Sequence, residues 1–112
     1  MRTAVFALTE AGAQLARRVG LALGDQATLF VSSRHAPLGA QTFGRLREAV
    51  QENFHRYDAL VFIMAAGIAV RSIAPYLVSK LEDPAVVVPD EQGRHVISLL
   101  SGHVGGANRL TR

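Results

Sequence analysis

The sequence predicts an α/β fold of three layers, a mostly parallel sheet with helices on both faces. Three observations carry that prediction. Short β-branched and apolar runs alternate with segments whose apolar residues recur at helical spacing. The stretch from Ala59 to Met64 is apolar without a break, the pattern of a parallel strand covered on both faces. The β-α-β-α-β order implies a parallel core with right-handed crossovers. With 112 residues, 49% of them hydrophobic and 19% charged, the chain forms a core and is not disordered. At this length roughly two-thirds of the unfolded surface can be buried, enough for one core.

Thr3 to Leu8 reads as the first strand. Thr9 is a natural N-cap, with Glu10 in the first turn where the helix dipole favours an acid. Leu15, Ala16, Val19 and Leu23 then mark one helix face, with Arg17 and Arg18 pointing outward. Gly24-Asp25 ends that helix, and Ala27 to Val31 forms the second strand. Ser32 to Gln41 holds Pro37 and Gly39 and reads as a loop. A second helix starts near Phe43, capped by Thr42, with Phe43, Leu46, Val50 and Phe54 on one face. Asp58 to Met64 is the third strand. Ala65-Ala66-Gly67 turns into a short helix from Ile68 to Ala74, where Pro75 interrupts it and opens a second short helix through Leu81. Ala85 to Val88 and Arg94 to Leu100 form an antiparallel hairpin around Asp90-Glu91-Gln92-Gly93. A last helix starts near Ala107. The chain reaches Arg112 about one turn into it. The expectation is one α/β domain over residues 1–112, the N-terminal fragment of a longer multidomain protein.

Composition excludes several classes. Without cysteine there is no disulfide framework, zinc knuckle or thiol nucleophile. Without Trp, and with aromatics at 6%, a stacking surface for single-stranded nucleic acid is not expected. The apolar run at residues 59–66 is shorter than the ~20 residues a membrane span needs. No signal-peptide pattern precedes the first strand, so a soluble cytoplasmic protein is expected, with neither nucleic acid nor membrane as partner. The net charge of +3 comes from 12 basic and 9 acidic residues, and Lys80 is the one lysine. The arginines form no basic stripe. Their planar forks suit carboxylates, although a genome's codon preference explains the same composition.

The strand order 2-1-3-5-4, a flavodoxin-like arrangement with the Ala85–Val88 strand as antiparallel edge, would point the first, third and fifth strands the same way. Their carboxyl ends carry Thr9–Gly12, Ala65–Arg71 and Ser101–Asn108. Chain direction reverses between the first and third strands, where open α/β sheets bind ligands. The candidates are therefore Thr9, Glu10 and Gly12, then Gly67 and Arg71, then Ser101, Gly102, His103, Gly105, Gly106 and Asn108. Three glycines within residues 102–106 let backbone approach a ligand, and free N–H groups there would stabilise an oxyanion. His103 can work as acid or base near neutrality. The bland alternative is a tight strand-to-helix connection with a solvated histidine. Arg71 is a candidate carboxylate clamp, or else a surface residue paired with Glu82 or Asp83. His35, His55, His95 and His103 are dispersed, so no protein-bound metal is expected.

The stretch from Tyr57 to Pro75 resembles the N-terminal domain of the CbiG family of cobalamin biosynthesis, as do Lys80–Val88 and Asp90–Asn108. The opening Ala7-Leu8-Thr9-Glu10-Ala11-Gly12 also looks like the family's start. The specific part is Ser98-Leu99-Leu100-Ser101-Gly102-His103 with Gly105-Gly106-Ala107-Asn108. The resemblance implies a cobalt-precorrin-5A hydrolase of the anaerobic corrin pathway. Such an enzyme opens the ring A acetate δ-lactone and loses the C20 unit as acetaldehyde, giving cobalt-precorrin-5B. The cobalt travels with the substrate, so no cofactor of the protein's own is implied. The implied partners are the cobalt-precorrin tetrapyrrole, the remaining domains of a full-length chain, and other corrin-pathway enzymes. Residue chemistry then suggests His103 as general base, Gly105 and Gly106 N–H groups as oxyanion donors, Arg71 on a peripheral carboxylate, and Ser101 or Asn108 orienting the acetate. Two other readings stay open: a non-catalytic tetrapyrrole-binding or docking module, and a generic nucleotide-binding domain.

Overall fold

A computed structural model describes residues 1–34 and 40–101. The elements run β1 (Thr3–Ala7), α1 (Glu10–Leu23), β2 (Ala27–Ser32), β3 (Gln41–Phe43), α2 (Leu46–Asn53), β4 (Ala59–Ile63), α3 (Ala66–Ile73), β5 (Ala85–Pro89) and β6 (Val96–Ser101). The strands form a sheet in the order β3-β2-β1-β4-β5-β6. All neighbours are parallel except β5 and β6. Among the described residues no helix is long and apolar enough to cross a membrane.

The three expected layers follow from strand alternation, which sends successive side chains to opposite faces. Val5, Ala7, Val61, Ile63 and Val87 pack beneath Ala16, Leu15 and Val19 of α1. Phe6, Phe30, Leu60, Phe62 and Val86 pack on the other face against Ala49, Val50 and Phe54 beside α2 and Ala69 and Ile73 of α3. Every residue of β1, β4 and β5 is buried, as doubly covered parallel strands require. On the α2–α3 face, Phe6 lies in register with Phe30 and Phe62 on its two neighbours. Its ring stacks on both at 5.0 Å between centroids. That spacing is close to the separation of adjacent strands, so the sheet itself imposes the stack.

Helix α1 forms as the sequence indicated. Thr9 is extended and its hydroxyl accepts the Gly12 N–H at 3.0 Å, while Arg17 and Arg18 are exposed. Gly24, at φ 73°, ends the helix in a conformation that side chains rarely adopt.

Three expectations are corrected. The strand order is not 2-1-3-5-4: the Ala85–Val88 segment lies inside, parallel to β4, and the Arg94–Leu100 segment is the antiparallel edge. The physical reason is burial. β5 is buried along its whole length and needs neighbours on both sides, whereas Val96, Ile97 and Ser98 of β6 are exposed. The second helix does not start near Phe43 under a Thr42 cap. Gln41–Phe43 is instead a short parallel edge strand, held where Ser33 N–H donates to the Phe43 carbonyl at 3.1 Å, and α2 starts after Gly44 and Arg45. The second short helix through Leu81 stops at Tyr76 in a 3-10 turn. There the buried Asp83 carboxylate accepts the Val78 N–H at 3.0 and 3.1 Å, which takes the place of a helical carbonyl. The helix expected near Ala107 lies outside the described residues.

Candidate functional site

In a parallel sheet all carboxyl ends share one edge. Here that edge carries Gly44-Arg45 after β3, Leu8-Thr9 after β1, Met64-Ala65 after β4 and Asp90-Glu91 after β5. The order reverses between β1 and β4, so a crevice opens where α1 leaves on one face and α3 on the other.

Thr9 sits at this crevice with its hydroxyl engaged on both sides. It accepts from the Gly12 N–H and donates to the Glu91 carboxylate in the β5–β6 turn. Glu10 is exposed beside it. Gly12 is a point of close approach: a Cβ there would lie 3.2 Å from Thr9 Oγ1 and 3.3 Å from the Ile63 carbonyl oxygen. Its absence lets α1 pack onto the end of β4. Gly12→Val is accordingly expected to destabilise the fold by about 1–3 kcal/mol, read from the denaturant midpoint, because the obstructing atoms include backbone. Gly67 has open space around it, in the first turn of α3.

Arg71 projects from α3 and is exposed. It borders an open groove of about 460 Å3 between α2 and α3, together with Leu8, Arg45, Leu46, Arg47, Ile68 and Ser72. Ser72 is tied down by donating to the Ile68 carbonyl at 2.8 Å. The suggested pairing of Arg71 with Asp83 does not form, since Asp83 is committed to Val78 and to His55 at 3.5 Å. That histidine contact is the one ion pair among the described residues, so Arg45, Arg47 and Arg71 meet no carboxylate there. Arg45 and Arg47 were not singled out from the sequence. The start of α2 after Gly44 puts both at the carboxyl edge.

Ser101 lies elsewhere. Because β6 runs antiparallel, Ser101 pairs with Ala85, the first residue of β5, at the edge where the parallel strands begin. β6 therefore does not end at the carboxyl edge that carries Thr9, as the expected strand order required. Gly102, His103, Gly105, Gly106 and Asn108 lie outside the described residues.

Residues 48–112 match the family described as Cobalamin synthesis G N-terminal. The chain is 50% identical over 110 residues to a cobalt-precorrin-5A hydrolase of Salmonella typhimurium, covering 97% of this chain and 31% of that protein. It is 42% identical over 115 residues to a cobalt-precorrin-5A hydrolase of Priestia megaterium, covering 97% of this chain and 30% of that one. A crystal structure of a cobalamin biosynthesis protein G homolog from Sulfolobus solfataricus superposes with a TM-score of 0.70 at 28% identity, over 98% of this chain and 32% of that chain. The chain thus spans about a third of the length of each of these proteins.

Proposed function

The chain belongs to the Cobalamin synthesis G N-terminal family, and on that premise we propose that it takes part in the hydrolysis of cobalt-precorrin-5A. One observation carries the reading: 50% identity, across 97% of this chain, to a protein named for that reaction. The arginine-lined groove supports it, since the corrin precursors bear many carboxylates on an otherwise apolar ring. Arg71 there holds a peripheral carboxylate by charge-assisted hydrogen bonds.

In the proposed reaction, water attacks the lactone carbonyl and gives its proton to a base. The lactone C–O bond breaks, freeing the ring A acetate as a carboxylate and leaving an alkoxide on C20; that oxygen becomes the carbonyl of acetaldehyde as the bond from C20 to the macrocycle breaks, the electron pair stays on the ring, and the ring takes up the proton. The base is assigned to His103, with Gly105 and Gly106 N–H groups on the oxyanion and Ser101 or Asn108 orienting the acetate. These roles rest on residue chemistry. Cobalt is part of the substrate. By the same reading the protein works in the cytoplasm, alongside further domains of a longer chain and other corrin-pathway enzymes.

A second reading is favoured by the position of Ser101 at the edge away from the groove. In it, this chain grips the macrocycle and the lactone opens at another part of the assembly. The experiment is to incubate the purified protein with cobalt-precorrin-5A and to measure binding and acetaldehyde release together. Release supports the hydrolase reading, and binding without release supports the gripping one. Arg71→Ala is expected to weaken substrate binding about tenfold while leaving kcat nearly unchanged, since a grip on a remote carboxylate is equal in ground and transition states. A fall in kcat alone would remove Arg71 from the grip.

A further inference from the structure

We propose that Arg45 and Arg47 form, with Arg71, a two-walled clamp that selects ligands by the number of carboxylates carried along one apolar edge. The proposal rests on the tetrapyrrole reading above and deepens it, naming residues that no comparison assigns.

The groove has cationic walls and an apolar floor. Arg45 and Arg47 come from the start of α2, and Arg71 comes from α3 across the gap. Leu8, Leu46 and Ile68 lie between them. Ile68 is 41% exposed, a large aliphatic side chain left open to solvent at the foot of the groove. Among the described residues no acidic side chain lines this groove. The nearest acids on α2, Glu48 and Glu52, border a separate groove on the other side of Arg45, and neither forms an ion pair with it among the described residues. Guanidinium groups on both walls repel one another until anions enter, so a ligand bridging the walls gains more than one that meets a single wall.

The chemistry of the fit follows. Each guanidinium presents a fork that matches a carboxylate. A volume of about 460 Å3 open on one side admits the edge of a flat molecule, not the whole of it. The ligand is an amphipathic polycarboxylate whose rigid apolar rim carries short acidic arms. A monocarboxylate neutralises one wall only, and an inorganic polyanion leaves the apolar floor wet.

Porphyrin emission gives the readout of binding. Titration should show an octacarboxylate porphyrin binding about tenfold more tightly than a tetracarboxylate porphyrin of the same ring, with the difference shrinking as salt rises. Arg45→Ala and Arg47→Ala should each weaken the octacarboxylate about five- to tenfold, and the double variant should erase the preference. Both side chains are exposed, so circular dichroism should be unchanged. Arg17→Ala, on α1 across the sheet, should bind as wild type. Equal affinity for the two porphyrins, unaltered binding in the double variant, or full displacement by stoichiometric tripolyphosphate would each overturn the clamp. Acetaldehyde release is scored separately. Release that persists after the clamp fails leaves the hydrolase reading standing, and an intact clamp without release removes that reading alone.

Discussion

Phe6→Ala is expected to lower the unfolding free energy by about 3–5 kcal/mol, as for other buried aromatics truncated in a core. Phe6 is fully buried in the central strand and stacked on Phe30 and Phe62. Its neighbours cannot close over the void, because β2 and β4 are both pinned to β1 by parallel ladders at that register. The loss therefore comprises the transfer energy of the ring, both stacking contacts and the cavity. A total stability of about 5–15 kcal/mol leaves little reserve, so the Ala variant is read at low denaturant and a milder change is read beside it. Phe6→Leu keeps much of the volume and should cost about 1–2 kcal/mol. Denaturant midpoints for both variants test the ladder. A loss below about 1 kcal/mol for Phe6→Ala would show that the stack contributes little beyond its shape.

His103→Ala is expected to reduce acetaldehyde release from cobalt-precorrin-5A about a hundredfold or more, the usual cost of losing a general base. Substrate affinity should change little, because the proposed base meets the attacking water and not a peripheral carboxylate. The split between kcat and binding distinguishes this outcome from the Arg71 variant, where affinity moves and turnover does not. Unchanged turnover in His103→Ala would take the residue out of the chemistry and favour the gripping reading.

Elements with strong local signals were legible. β1 and β4 announce themselves as unbroken apolar runs, and α1 by its Thr9 cap and Gly24 stop. β3 was not legible. Gln41-Thr42-Phe43 is short, and two of its three residues face solvent, so no alternation marks it; its pairing to β2 is a tertiary choice. Missing it displaced the start of α2 and hid Arg45 and Arg47. The order of the last two strands was also missed, because a hairpin fits a sheet by either arm. The difference lay in Val86-Val87-Val88 against Val96-Ile97-Ser98: a polar residue at mid-strand belongs on an edge. Thr9, Glu10 and Arg71 were correctly placed at the carboxyl edge from topology alone, while the position of Ser101 depended on the strand order.

The central position of β1 has a consequence for synthesis on the ribosome. β1 emerges ahead of β4, one of the two strands that flank it, which starts only at Ala59. Until β4 has left the exit tunnel, Ala4, Val5, Phe6 and Ala7 present an apolar strand with one unsatisfied flank. The nascent protein must hold that flank away from other chains, and conditions that stall translation before β4 should raise its tendency to aggregate.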